Sequence, residues 1–299
     1  MKSSMSRQPI GIINRFASSW NILHRYRQGI FGSAELEINY YKRLFDIIRS
    51  HVTIEINNAR ILELGCGQMA TQTALLASNG ADVTGIDVEI PTYRMNLQIF
   101  LETLKKNGFE RAIKSLFRHV LFDRAYIKKI SLLHDKKIPY SELDIQIMDA
   151  ADLRFPNNHF DFVFSRDVFE HIDDVPNAVK GVNRVLKKSG IAWIRAHLFP
   201  SLSGGHHLAW MFADKSPSDK VPPWDHLLAN TYPVNTYLNK LRLDQYRKIF
   251  HDNISVLKER TKEEGHNILT PKLLELLSAK GYTKEDLLTS SVLFLCRKK

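Results

Sequence analysis

Apolar residues along this chain follow two periods, and the alternation between them sets the expected fold. Short, nearly continuous apolar runs occur at Arg60-Ile-Leu-Glu-Leu-Gly65, Val83-Thr-Gly-Ile-Asp87, Leu143-Asp-Ile-Gln-Ile-Met-Asp149, Phe160-Asp-Phe-Val-Phe-Ser165 and Ile191-Ala-Trp-Ile-Arg195. Their length and their glycine or acidic ends read as buried strands. Between them the spacing becomes three or four. Leu36, Tyr40, Leu44, Ile47 and Ile48 predict a helix over about 35–50, and a second covers about 71–78, stopped by Asn79-Gly80. A third is predicted over 175–186, with Lys187-Lys-Ser-Gly190 as its basic last turn and glycine stop. The link between strands two and three exceeds fifty residues, too long for a loop in such a fold. It holds two predicted helices, near 94–106 and 110–134, and is read as an insertion. After strand five, residues from about 197 to 237 have no period and are rich in His, Pro, Trp and Ser. A helix over 237–251, a strand over 254–258, a helix begun by Thr270-Pro271 and a closing strand over 290–296 complete the pattern.

The first two strands carry the chemistry. Gly65-Cys-Gly67-Gln-Met-Ala70 fits the G-x-G-x-x-G/A turn, and Asp87 ends the next strand about twenty residues on. Glycines let a backbone approach a ligand closely, and an acid there accepts ribose hydroxyls. Charge separates the nucleotide candidates. A pyrophosphate at a helix amino terminus would be opposed by Glu63, two residues before the turn. A ligand carrying an ammonium and a sulfonium would be favoured by it.

The runs E-L-G-C-G, V-T-G-I-D, Asp149-Ala-Ala-Asp-Leu-Arg-Phe-Pro156 and F-D-F-V-F-S occur in this order over roughly residues 55–195. With them the chain resembles the class I S-adenosylmethionine-dependent methyltransferases, in the methyltransferase type 11 group that includes the ubiquinone and menaquinone enzymes. The resemblance implies a Rossmann-like α/β fold, with a mostly parallel sheet, an antiparallel last strand and helical insertions. It implies S-adenosylmethionine as cofactor, with Glu63, Gly65, Gly67, Asp87, Asp149, Ala150 and Ser165 around it. Asp149 and Ala150 would meet the adenine, and Ser165 would offer its backbone carbonyl. The family commonly has a glycine where this chain has Met69, which puts the loop's approach to the methionine moiety in question. The expected organisation is a helical extension over residues 1–50 and a methyltransferase domain over 51–299. Insertions at about 90–142 and 197–250 would form an acceptor-binding lid.

Methyl transfer is an in-line displacement that needs alignment and, for a hydroxyl acceptor, removal of a proton. No metal is expected on those grounds. Strand four ends in Ser165-Arg-Asp-Val, which lacks the Asn-Pro-Pro-Tyr type of ending used on amides and exocyclic amines. The candidate bases are His171, His206, His207 and His226, the first three foremost. A metal set of His206, His207, Asp225 and His226 is disfavoured because adjacent histidines do not easily share a face. Ser203-Gly-Gly-His-His-Leu-Ala-Trp210 and Pro222-Pro-Trp-Asp-His-Leu227 read as parts of one acceptor pocket, its tryptophans stacking on an apolar or sugar face. These segments loosely resemble methyltransferases of bacterial cell-surface glycan pathways. A sugar or other small-molecule hydroxyl is therefore the first acceptor. The alternatives are a lipid or quinone-like acceptor at a membrane, and a catalytically silent donor-binding protein.

Charge adds one further expectation. The net charge is +10, and no Asp or Glu precedes Glu35, whereas Ile13, Phe16, Trp20, Leu23 and Ile30 recur at helical steps. A basic, aromatic helix at the amino terminus could touch an anionic membrane peripherally. The basic residues of 105–137 are scattered over helical positions, which argues against nucleic acid as a partner. With 44% apolar residues, no membrane-length run and two cysteines, Cys66 and Cys296, the expectation is a cytoplasmic protein with reduced thiols.

Overall fold

Seven strands form one sheet in the order β3-β2-β1-β4-β5-β7-β6. The structure is a computed structural model and describes residues 34–52, 54–211 and 218–299. The amino-terminal helix expected around residues 13–30 lies outside the described residues. In chain order the elements are α1 (Ala34–His51), β1 (Arg60–Leu64), α2 (Thr71–Ala77), β2 (Asp82–Asp87), α3 (Leu97–Asn107), α4 (Phe109–Arg118), α5 (Arg124–Leu133) and β3 (Asp144–Ile147). Then come β4 (Phe160–Arg166), α6 (Val175–Val185), β5 (Leu186–His197), α7 (Leu243–Asn253), β6 (Ser255–Glu263), α8 (Pro271–Ser278), α9 (Lys284–Leu288) and β7 (Thr289–Arg297). Strands β1 to β5 pair in parallel. The last strand, β7, runs antiparallel to both of its neighbours, β5 and β6. This is the Rossmann-like arrangement expected, with the chain reversing its direction of winding between β1 and β4.

Each face of the sheet has its own core. On one side α6 and α7 bury Val175, Val179, Val182, Tyr246 and Phe250 against β4, β5 and β7. On the other, Ile38, Tyr41, Leu44 and Ile48 of α1 and Ile130 of α5 pack on Ile61, Phe162, Phe164 and Trp193. The doubly buried strands explain why their sequences read as runs rather than alternations. Asn96 caps α3, and its carbonyl-type oxygen accepts from the Ile99 amide at 2.9 Å. The expected second helix of the insertion is α4 and α5 joined through a π-helical turn at His119–Asp123.

One boundary differs from its expectation. Lys187-Lys-Ser-Gly190 does not close α6 but belongs to β5, where the pairing with β4 shifts register between Phe160 and Phe162. Lys187 Nζ reaches Asp161 Oδ2 at 2.7 Å. Strand pairing and that ion pair override the local helix-stop signal. A third buried cluster lies beyond the sheet and joins Leu202, Trp210, Val221, Trp224 and Leu227 to Leu277 and Leu287. Among the described residues no helix is long and apolar enough to cross a membrane.

Candidate active site

The glycine turn leaves β1 with Gly65 at φ +74° and Gly67 at φ +66°, the left-handed region that side chains avoid. A Cβ on Gly65 would lie 2.3 Å from Val168 Cγ2, so the close approach of the two loops itself requires glycine. Gly67 N–H donates to Asp87 Oδ2 at 2.8 Å, and Glu89 N–H donates to Asp87 Oδ1 at 2.9 Å. Asp87 is thereby oriented by the turn beside it, and burial raises its pKa. Glu63 sits beneath the turn, where its Oε2 accepts from Thr73 N at 2.8 Å and from Thr73 Oγ1 at 2.5 Å. It satisfies a free amide in the first turn of α2 and so braces the helix that follows the glycines. Burial pushes the Glu63 carboxyl up to about 7.

That value gives a pH prediction. Between the ordinary 4.5 and about 7, the folded chain holds a proton on Glu63 that the unfolded chain has released. Its contribution to stability therefore falls as pH rises through that window, by at most about 1.4 kcal/mol per pH unit. Glu63→Gln is expected to flatten this slope and to gain relative to wild type above pH 7. Urea melts of both proteins at pH 5, 6.5 and 8 would check it, and parallel curves would refute the assignment.

A cleft of about 450 Å³ opens over the carboxyl ends of β1, β2 and β4, lined by Gly65, Ile86, Asp87, Val88, Met148, Asp149, Ala150, Val168, His171, Ile172, Asp173 and Tyr237. Three of these residues are carboxylates and none is Lys or Arg. Such a lining would repel a pyrophosphate and suits a ligand that carries positive charge. Asp149 Oδ1 accepts from Ala151 N at 2.8 Å, which fixes it at the cleft edge beside Ala150. Of the expected donor residues, Gly65, Asp87, Asp149 and Ala150 meet at this cleft, with Gly67 bonded to Asp87. Ser165 does not line it. It is wholly buried within β4, and its hydroxyl donates to the Leu64 carbonyl at 3.0 Å. Val168, His171 and Tyr237 line the cleft beyond the end of that strand. Met69 packs with Cys66, Ala70 and Tyr93, beside the turn and not across the cleft mouth.

The histidines separate into distinct settings. His171 lines the cleft, and its Nδ1 lies 2.8 Å from the Tyr237 carbonyl. A carbonyl only accepts, so Nδ1 carries the proton in this contact, and in the neutral ring the lone pair is on Nε2. His206 meets His171 edge-on, with ring centroids 5.0 Å apart, and meets His197 at 5.2 Å. Burial and its histidine neighbours lower the His206 pKa to about 4, so its ring is neutral at physiological pH. His207 points elsewhere. Its Nδ1 accepts from Ala209 N at 3.1 Å, and its ring faces Tyr232. His226 Nε2 bonds the Phe199 carbonyl at 2.9 Å. The set of His206, His207, Asp225 and His226 is thus not gathered around one point.

The two tryptophans of the loop segments are structural. Trp210 Nε1 donates to the Val221 carbonyl at 3.1 Å and Trp224 Nε1 to the Pro200 carbonyl at 3.2 Å, both in the third cluster. They hold the segment after β5 together, where the sequence led us to expect stacking on an acceptor. Sequence reasoning also missed Glu170 and His197. Glu170 is 2% exposed, and burial, with the Asp167 charge next, pushes it up to about 8. Asp167 itself, at φ +56°, is held by a bidentate pair with Arg195. The Glu170-His171 dipeptide just after a buried strand was the available signal.

Residues 122–194 match a family model described as a methyltransferase domain. No curated protein sequence matches the chain. Among solved structures, the chain is similar to an S-adenosylmethionine-dependent methyltransferase from Mesorhizobium loti, at 14% identity and TM-score 0.45 over 84% of this chain and 96% of that one. It is also similar to a putative methyltransferase from Bacillus halodurans, at 15% identity and TM-score 0.44 over 86% and 98% of the two chains. A putative S-adenosylmethionine-dependent methyltransferase from Listeria monocytogenes gives 15% identity and TM-score 0.45 over 89% and 98%.

Proposed function

We propose that the chain is an S-adenosylmethionine-dependent methyltransferase of the class I fold and that it methylates a hydroxyl oxygen of a small molecule, a sugar or glycan foremost. The donor fits the cleft because its positive charge meets Asp87, Asp149 and Asp173 and no competing cation. In this reading Asp87 takes the ribose hydroxyls, Asp149 and Ala150 flank the adenine, and Gly65 and Gly67 let the methionine part approach the backbone. When bound, the donor supplies an electrophilic methyl carbon. The protein's share is to align an acceptor oxygen with that carbon and to take its proton.

The observation that carries the hydroxyl reading is the tautomer of His171. With Nδ1–H spent on the Tyr237 carbonyl, a neutral His171, whose ring lines the cleft, keeps Nε2 as its acceptor nitrogen. A neutral imidazole at this position can take a hydroxyl proton as the methyl transfers, whereas an already nucleophilic amine would need no such group. His206, edge-on to His171, limits where that ring can turn.

Methyl transfer from labelled donor to a panel of sugar, nucleotide-sugar and phenolic hydroxyls tests the reading. His171→Gln is expected to lower kcat by about 10²- to 10⁴-fold while donor affinity stays within about twofold. Unchanged kcat on the best acceptor would remove His171 from the chemistry. Transfer to amines alone would overturn the hydroxyl assignment.

One surface favours the lipid or quinone-like alternative. On the insertion α3–α5, Leu97, Phe109 and Leu132 are 73%, 68% and 76% exposed, and the same helices carry exposed Lys105, Lys106 and Lys128, while Arg111 and Lys114 pair with Glu89 and Glu110. Apolar side chains rimmed by lysines are the chemistry of a helix resting on an anionic bilayer. Co-sedimentation with phosphatidylglycerol vesicles, lost in 0.5 M salt, would shift the preferred acceptor to a lipid.

A further inference from the structure

Behind the cleft, Glu170, His197 and His206 each bring one ligand-type atom within 4.8 Å of the others. Glu170 comes from the 3₁₀ turn after β4, His197 from the end of β5, and His206 from the loop beyond it. Glu170 Oε1 and His206 Nε2 are 3.9 Å apart. Both carboxyl oxygens of Glu170 are buried, and neither has a hydrogen-bond partner among the described residues. The backbone amides of Glu170 and His197 favour the charged form of this carboxyl, but burial outweighs them. Buried polar atoms without a partner are rare, and an ion is one of the few things that accounts for two on one side chain.

The surroundings are built as a ligand set is built. His197 Nε2 lies 2.9 Å from Ser203 Oγ, and Ser203 Oγ donates to Glu264 Oε1 at 2.6 Å. The Ser203 amide donates to the same Glu264 oxygen at 2.7 Å. This carboxylate–serine–imidazole chain orients the His197 ring from outside, as outer partners of metal-binding histidines do. His206 adopts φ +56°, a left-handed conformation that a non-glycine residue keeps only when its surroundings impose it.

We propose that Glu170, His197 and His206 bind one divalent first-row transition ion of the zinc class. Two imidazoles and one carboxylate match the donors of such ions and mismatch magnesium or calcium, which take oxygen. Three protein ligands leave a position open. Because the His171 ring meets His206 edge-on, an acceptor oxygen bound at that position would lose its proton more readily, with the His171 imidazole able to receive it. This acceptor role rests on the hydroxyl reading above, whereas the ion site itself does not.

The test is calorimetric titration of zinc chloride into the full chain after dialysis against chelator. Glu170→Gln, His206→Ala and Ser203→Ala are run in parallel, with magnesium chloride as contrast. One zinc per chain is expected, with affinity falling about 100-fold or more in Glu170→Gln and His206→Ala and about tenfold in Ser203→Ala. Magnesium is expected to give no binding heat. Glu170→Gln keeps the side-chain shape, and circular dichroism on each variant separates lost ligands from lost fold. Absence of stoichiometric zinc in the folded wild type would overturn the site, as would equal affinity in folded Glu170→Gln and His206→Ala. Donor titration on the same samples keeps the two readings apart. Donor binding without zinc removes only the ion site, and zinc binding without donor leaves the ion site standing while the donor assignment falls.

Discussion

Asp87→Ala is expected to weaken S-adenosylmethionine binding by about 100-fold or more, with the fold intact. The carboxylate stands at the end of β2 with both oxygens drawn toward the cleft edge by the Gly67 and Glu89 amides. Hydrogen bonds to a charged group contribute about 1.5–3 kcal/mol each, so losing the ribose contacts removes about 3 kcal/mol, or roughly two decades of affinity. The substitution also frees the Gly67 amide, which loosens the turn that the methionine part must approach. Asp87→Asn, which keeps an oxygen for Gly67, is expected to fall between the two proteins. Calorimetric titration with the donor, beside NADH, checks this. Wild-type affinity in Asp87→Ala would mean that the ribose lies elsewhere. Tight NADH binding would mean that the anionic lining does not select the ligand.

Trp224→Ala is expected to destabilise the protein by about 3–5 kcal/mol, the cost of emptying a large fully buried aromatic site. Trp224 has no exposed surface and packs with Leu202, Trp210, Leu277 and Leu287, and its indole N–H satisfies the Pro200 carbonyl. Removing it opens a cavity and strands that carbonyl. The cluster belongs to the segment after β5 and its partners α8 and α9, separate from the residues around Asp87. Donor affinity is therefore expected to survive in the folded fraction while acceptor turnover falls. Guanidinium melts read the stability and donor titration at low temperature reads the site. Wild-type stability with a raised KM for acceptor would return Trp224 to the acceptor-stacking role that its sequence context predicts.

The sequence was most legible where structure depends on neighbours along the chain. β1, β2 and β4 appear as apolar runs because strands buried on both faces need an apolar residue at nearly every position. Gly65 and Gly67 were legible because only glycine takes their backbone angles at no cost, and Asp87 because it ends the adjacent parallel strand. Lys187-Lys-Ser-Gly190 misled for the same reason in reverse. Its local signal is a helix stop, but its place beside Asp161 is a strand. The Ser165 hydroxyl turns inward to Leu64, and beyond the strand the cleft wall is lined by Val168 and His171, which the strand ending alone did not reveal.

The positions of the strands along the chain, the glycine turn and the acid that ends the next strand were legible in the sequence alone, since periodicity and backbone permissiveness are local properties; the order of the strands in the sheet was not. The tertiary structure alone decided which polar groups lost their water. Glu170, His197, the Ser203–His206 turn and Glu264 come from four stretches of chain, and nothing in any one stretch marks its residue as buried. Only when β4, β5 and the loop after β5 close on one another do those side chains meet. Burial then turns an ordinary glutamate and two ordinary histidines into a site, because desolvation, which depends on what the rest of the fold excludes, sets their charge and their need for a partner.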